Sequence, residues 1–575
     1  MEQRHTVTTT ASATEKTTIL DIPADCWKII LSKLHTHHQT HIAPLSLTCK
    51  HLLSITNTLP FSLTLTPPLL RNLNSLLLPL LRRFSTSLQI LSINSSAASV
   101  NAALSFIVSS TATAHLRCIH FCNLDALPLD GLRHLGSSPN IVKVLTLCNI
   151  DGLCDRQLVI VCLVFTLIEE IDVSFNNLSD AGISGLARHL KFLRKINLSE
   201  NVLITDKSMI ALSDCCLDLT DVKVHGCKDI TQNGIGYVMR HSAKLSGISM
   251  DTFKQTRLLE KSESLFSIEN SIGFCRNLSK LEFFTMNVED TLLCSIAKAN
   301  LPLTQYTAPY CTNSLKASSS GLSTFLRAYP KLEKLDIRGE TYLMDETMKG
   351  LICYLGNLVA INIGYCNGLT TSTFQMLVKN CPALEEMNAM HTLLGKGELD
   401  EPLVKVDNIK CLKLASNYLL MDDMLEKIGL MCPNLEHLDV SFCEKLTSEG
   451  IRNIVKCCRE LKHLDIAGWI QSMLFETTFE GSSLNLEVLK LKGGKFGDEC
   501  ISEIVKACPK LLYLNLAECW GVTAKSVKEL VENCTNLREL DLQRCSNVSA
   551  ETLAWIVSAR PSLRIITSPI KYRTY

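Results

Sequence analysis

A unit of 25 or 26 residues, repeated along almost the whole chain, leaves few folds open. The copy from Cys432 to Cys457, CPNLEHLDVSFCEKLTSEGIRNIVKC, shows it most completely. Leu435, Leu438 and Val440 have the spacing Leu-x-x-Leu-x-Leu, which predicts a short strand with one apolar side, and Cys443 follows eight residues after Leu435. Thr447 offers a helix N-cap, and Ile451, Ile454 and Val455 fall on one face of the helix it would start. One strand and one helix cannot bury both apolar faces alone. Stacked on copies of itself, the unit builds a continuous core, so a solenoid is expected.

The strands are counted by their first apolar residue: Leu88, Leu116, Val142, Ile168, Leu193, Leu219, Leu245, Leu278, Leu332, Leu358, Leu384, Ile409, Leu435, Leu461, Leu486, Leu511, Leu537 and Leu563. A degenerate copy near Leu303, with Tyr306 and Ala308, fills the long step before Leu332, and Leu63 with Leu65 begins the array. The fold class this predicts is α/β, a horseshoe solenoid with a parallel sheet on its concave face and helices outside. It would cover residues 60–575 in about 18–20 repeats, with strands about 4.8 Å apart along roughly 90 Å of sheet.

Cysteine, 26 residues in all, is explained by the same register. Cys216, Cys275, Cys381, Cys432, Cys458, Cys508 and Cys534 each lie three residues before a strand's first apolar position, where the preceding helix ends. Cys227, Cys366, Cys443, Cys519 and Cys545 lie eight after it, where Asn176, Asn201 and Asn417 stand in other copies. Asn there would bond the turn to its neighbours, and Cys is small, apolar and a weak donor. The pattern resembles the cysteine-containing class of leucine-rich repeat. Thiols spread one per layer do not converge as a tetrahedral zinc set, so no metal is expected. His35, His37, His38 and His41 read as a solvated link for want of a second ligand set. No phosphate loop, His-Glu-x-x-His helix or nucleophile elbow is found, and no catalytic residue is assigned.

Lys plus Arg and Asp plus Glu are equal at 57 each, which argues against a nucleic-acid or membrane-surface protein. Residues 1–18 are Thr-rich and polar with no apolar core, and read as a disordered arm rather than a targeting peptide. The longest strongly apolar run, Leu158 to Ile168, is too short to span a bilayer. A soluble protein of the cytoplasm or nucleus, with reduced thiols, is the expectation.

Residues 19–59 do not follow the repeat. Pro23 suits a first helical turn, Trp27, Ile30, Leu31 and Leu34 share a helical stripe, and Ile42, Leu45, Leu47, Cys49, Leu52, Leu53 and Ile55 form a second apolar cluster. Ile22-Pro23, Trp27, Ile29-Ile30, Leu34, Leu45, Leu47, Cys49-Lys50 and Leu52 resemble an F-box, with Ile in place of the usual Leu before Pro and Pro44 where an acidic residue is common. An F-box implies docking on the Skp-type adaptor of an SCF ubiquitin ligase, and through it on a cullin. The resemblance assigns Ile22, Pro23, Trp27, Ile30, Leu34, Leu45, Leu47, Cys49 and Leu52 to that contact. The alternative for this segment is a cap on the first repeat.

Between the apolar positions, side chains alternate to the concave face. The candidates for target capture are Arg338, Lys413, His437, Asp439, Asp465, Lys490, Tyr513, Asn515 and Asp541. Irregular steps, Lys254 to Glu269, His391 to Asp407 and Trp469 to Ser483, mark insertions of the kind that often carry binding. Taken over the whole chain, the plan resembles F-box leucine-rich-repeat proteins. That implies a non-catalytic substrate receptor of an SCF ubiquitin ligase, capturing a protein target for ubiquitination and degradation. Two alternatives stand beside it, an interaction scaffold without ligase role and a small-molecule-gated receptor. The gated branch resembles the auxin and jasmonate receptors with their inositol phosphate, but its basic pocket residues do not map onto this sequence. No cofactor is otherwise implied.

Overall fold

The computed structural model describes residues 26–27, 50–57, 59–65, 70, 73–84, 87–94, 100–109, 114–137, 141–251, 267–286, 288–311, 318–468, 484–494, 496–561 and 563–567. The arm 1–18, the His35–His41 link and most of the insertions at 254–269 and 469–483 lie outside them. The chain divides into two compact units, Met1–Asp218 and Leu219–Tyr575.

In the first unit a short helix, Lys50–Thr56, precedes parallel strands Phe61–Leu65, Leu88–Ile93, Cys118–Leu124, Val144–Ile150, Glu170–Asp172 and Lys195–Asn197, each paired with the next. Helices such as Val100–Ser109, Asp180–His189 and Asp206–Cys215 alternate with them. The second unit runs from the strand Asp221–Val224 to Arg564–Ile566 on the same plan, every described strand parallel to its neighbour. The degenerate copy near Leu303 is a full member, its strand Gln305–Thr307 pairing on both sides. In place of a helix, the His391–Asp407 segment holds turns tied to the layers beside it by Lys379 to Asp400 at 3.7 Å and Lys427 to Glu401 at 3.9 Å.

One repeat shows how the residues set the backbone. Leu435, Leu438, Val440, Cys443, Ile451 and Ile454 are all buried to within 2% exposure, so strand and helix share one core. At the end of the strand His437–Asp439, the Asp439 carboxylate accepts the Ser441 N–H at 3.0 Å and turns the chain. Phe442 then takes the left-handed conformation, φ 57°, and its N–H donates to Ala467 O of the next layer at 2.8 Å. Cys443 follows and donates its thiol back to Leu414 O at 3.2 Å. Thr447 caps the helix Ser448–Cys457 by accepting the Glu449 N–H at 3.2 Å.

Three ladders of side chains carry this plan from layer to layer. In the first, the eighth position after each strand's leading apolar residue reaches back to a carbonyl: Cys366 to Ile337 at 3.4 Å, Cys519 to Leu491 at 3.3 Å, Cys545 to Leu516 at 3.0 Å. Where asparagine stands, the bonds are shorter, as in Asn176 to Leu147, 2.8 Å, and Asn417 to Ala389, 2.9 Å. The expectation that Asn and Cys serve one structural role is met.

The second ladder lies at the helix ends, where Cys216 donates to Leu190 O at 3.6 Å and Cys458 to Cys432 O at 3.4 Å. Arg560 takes this place after the helix Ala550–Ala559, its guanidinium donating to the carbonyls of Val531, Cys534, Thr535 and Leu537 at 2.5–3.1 Å. The third ladder joins helix starts. An aspartate at the first position of one helix accepts from the N-cap of the next, as in Asp180 with Thr205, Asp345 with Thr370, Asp422 with Thr447 and Asp498 with Thr523, at 2.5–2.7 Å through the hydroxyls. Gly450 makes room for the approach: a methyl there would stand 2.2 Å from Asp422 Oδ1.

Candidate functional site

Of the residues expected to hold an adaptor, Ile22, Pro23, Ile30, Leu34, Leu45, Leu47 and Cys49 lie outside the described residues. Trp27 is half-buried and packs against Ile55 and Leu59. Leu52 is buried, 3% exposed, so it supports a surface from beneath instead of forming one.

The candidates for target capture, Arg338 apart, share two rows of the second unit's sheet. Lys413, Asp439, Asp465, Lys490, Asn515 and Asp541 are register partners in consecutive strands, one side chain per layer. His437 and Tyr513 belong to the row two residues earlier, and Arg338 lies two residues past the equivalent Asp336. In the strands, the middle residue is buried and its neighbours reach the surface in part, as alternation requires.

The acidic and amide members have structural work of their own. Asp439, Asp465, Asn515 and Asp541 each accept the backbone N–H two residues ahead at 2.9–3.1 Å, the bond that starts the turn out of the strand. Asp172, Asn197, Asp336, Asn362 and Asn388 do the same in other layers. Asp541 is nearly buried, at 7% exposure. An Asp or Asn four residues after the leading leucine recurs throughout the sequence, and that recurrence is the signal that would have marked these positions as turn makers.

Cations are satisfied unevenly. Lys490 pairs with Asp465 at 3.2 Å and Arg338 Nη2 with Asp336 at 3.3 Å. Arg338 Nε is buried with no hydrogen-bond partner among the described residues. Lys413 is exposed, and no ion pair of it is found among the described residues. Burial pushes the Asp465 carboxyl up, with the nearby Asp439 charge adding to the effect. His437 and His463 meet edge to face, centroids 3.9 Å apart. Burial lowers both, and the added repulsion of His437, Lys490 and Lys462 brings His463 down to about 4, so the pair is neutral at neutral pH. The Tyr513 hydroxyl accepts from Asn515 Nδ2 at 3.2 Å, and burial raises its pKa. The result is an open surface of mixed polarity whose charges are mostly matched internally.

One row was missed by reading the sequence alone. In the layers where it is described, the residue seven after the leading apolar one has positive φ, and it is Gly226, Gly339, Gly468 or Gly493 in some layers but Tyr310, Tyr365, His391 or Phe442 in others. A side chain in that conformation costs about 1–2 kcal/mol. These aromatics nonetheless stay in view of solvent, Tyr310 at 41%, Tyr365 at 38% and Phe442 at 55% exposure. Glycine recurring at one position was the available sign that the others there are held at a cost.

Comparison with known proteins follows this geometry. The family profile of the leucine-rich repeat matches residues 166–187, 189–213 and 432–455. F-box protein SKIP1 of Arabidopsis thaliana is 26% identical over 153 residues, 27% of this chain and 48% of that protein. F-box/LRR-repeat protein 4 of Bos taurus is 25% identical over 202 residues, 34% of this chain and 32% of that protein. The chain thus spans about half the length of the first relative and about a third of the second. The crystal structure of the Rad7 and Elc1 complex in yeast superposes with a TM-score of 0.44 at 15% identity, over 82% of this chain and 98% of that one, a likeness that carries no functional argument.

Proposed function

We propose that this chain, with leucine-rich-repeat matches and a likeness to F-box/leucine-rich-repeat proteins, is the substrate-recognition subunit of an SCF-type ubiquitin ligase. The segment 19–59 docks on a Skp-type adaptor and through it on a cullin, and the strand face captures a protein target for ubiquitination and degradation. The chain itself is non-catalytic and needs no cofactor. Its contribution is proximity: a target held beside the transferring subunits reacts at a raised effective concentration. The observation that carries the reading is the pairing of F-box-like residues, Ile22-Pro23 through Leu52, with a repeat array whose relatives are named F-box proteins.

The surface chemistry supports a protein target. An open row of Lys413, Asp439, Asp465, Lys490 and Asn515 offers both signs of charge and an amide, which suits a folded or extended polypeptide. Free thiols in every described cysteine fit the cytoplasm or nucleus, and no described helix is long and apolar enough to cross a membrane.

A scaffold without ligase role is the second reading, favoured by the burial of Leu52, which a cap would turn inward. Co-expression with a Skp-type adaptor and a cullin separates the two. The full chain is expected to retain both on affinity purification, and a chain with Pro23→Ala and Leu45→Asp to lose both. Purification of the intact chain free of adaptor would sink the ligase reading.

A further inference from the structure

The aromatic row in the second unit extends across four consecutive layers. Tyr310 and Tyr365 stand two layers apart, yet their ring centroids are only 5.9 Å from each other, and His391 in the next layer lies 5.0 Å from Tyr365. The layer between the tyrosines carries Gly339, φ 76°, where a methyl would fall 2.1 Å from Tyr310 Cδ1. Glycine at that position lets the Tyr310 ring lie across it, so Tyr310, Tyr365 and His391 form one strip. Beside the strip Gly364 plays the same part for Met390, whose Cγ would meet a methyl on Gly364 at 2.9 Å. The result is a continuous apolar ledge along the edge where the strands end.

The fold itself does not require these side chains, since glycine fills the same place in four other layers. Charge around the ledge is asymmetric. Asp336 is saturated by the Arg338 N–H and Nη2, both at 3.3 Å, and by Asn362 Nδ2 at 3.1 Å. Arg338 is thereby neutralised, its Nε buried, while Lys413 stands exposed in the strand that follows His391. The exposed cation left beside the ledge is Lys413, for which no ion pair is found among the described residues.

We propose that the Tyr310–Tyr365–His391 ledge, with Met390 beside it and the Lys413 cation on its strand side, docks an extended target segment carrying aliphatic or proline residues next to an acidic one. Apolar side chains of the segment lie over the rings, and its carboxylate meets Lys413. The proposal rests on the receptor reading and names the class of segment that such a receptor would select.

The test uses the full chain co-purified with adaptor and a phage-displayed library of random dodecapeptides. Selected sequences are expected to be rich in proline and aliphatic residues flanked by Asp or Glu. A synthetic peptide of the consensus should lose about tenfold or more in affinity on Tyr310→Asn with Tyr365→Asn; asparagine tolerates the left-handed backbone, so the turn is kept. Tyr365→Phe should bind as the parent does, and selection on Lys413→Glu should no longer favour acidic peptides. No enrichment, enrichment of basic peptides, or equal affinity for the double Asn chain overturns the proposal. Adaptor retention in the same preparation is scored separately. A chain that keeps its adaptor but selects no such peptide refutes this inference alone, and one that selects peptides without adaptor refutes the ligase reading alone.

Discussion

Replacing Asn417 by alanine and by cysteine tests how the layers are joined. The side chain is fully buried. Its Nδ2 donates to Ala389 O at 2.9 Å and Leu414 O at 2.8 Å, and its Oδ1 accepts the Thr392 N–H at 3.0 Å and the Thr392 hydroxyl at 2.9 Å. With alanine, Ala389 O keeps the Thr392 hydroxyl at 3.0 Å and Leu414 O keeps the Cys443 thiol at 3.2 Å. The Thr392 N–H is left bare. One orphaned donor costs about 1–3 kcal/mol, and the two donated bonds lost add about 1 kcal/mol each, so a loss of about 3–5 kcal/mol is expected. Cysteine restores one donor to a carbonyl, as it does in neighbouring layers, and should recover about 1 kcal/mol. Urea unfolding followed by circular dichroism measures the totals. Because a repeat array can open locally, hydrogen exchange of the peptide bearing Thr392 and Leu393 should be read alongside. Alanine and cysteine chains that match the parent within about 0.5 kcal/mol, with unchanged protection at Thr392, would refute the ladder as a source of stability.

Three further perturbations follow from other parts of the frame. Burial raises the carboxyl pKa values of Asp180, Asp345 and Asp498, but hydrogen bonds from their Ser and Thr neighbours outweigh it, and the net direction is down. Their stabilising contribution is therefore complete above the ordinary carboxylate value of 3.8 and is lost as pH falls below it. Urea midpoints should drop on acidification, and the triple Asp→Asn chain should start lower at neutral pH and lose less; equal slopes refute the link. Gly339→Ala puts a methyl into the Tyr310 ring at a positive φ, and a cost of about 1–3 kcal/mol in unfolding free energy is expected, against none if the ring merely swings clear. Arg560→Ala strips the guanidinium from four carbonyls, and faster exchange should follow in the preceding helix Ala524–Asn533 and the turn after it, with distant layers such as Ala360–Asn362 unaffected.

Period and polarity made the layers legible before any coordinates. Leu435, Leu438 and Val440 announce a strand because only alternation puts all three on one side, and Thr447 announces a helix because a hydroxyl is what the first turn lacks. The same logic found the degenerate copy at Leu303 and the equivalence of Cys443 with Asn417. The candidate site was harder, because function and turn chemistry use the same residues. Asp439 and Asp465 were read as binding groups from their place on the strand face, while their bonds to Ser441 and Ala467 depend on the backbone bending back two residues later. Tyr310 and Tyr365 were passed over because their closeness depends on a missing side chain at Gly339, a relation across three layers that no local pattern states.

The thiol ladder has a chemical consequence for a chain so rich in cysteine. Burial pushes Cys366, Cys443 and Cys519 up to about 12, so each keeps its proton, and with it the ability to donate, throughout the range a cell experiences. A thiol that does not ionise is also a poor nucleophile toward peroxide and a poor ligand for zinc. The frame is thereby built from the most reactive of the common side chains in its least reactive form. Toward oxidants and soft metals these rows of the folded array behave as though they held no cysteine at all, and that reactivity returns only where a layer opens.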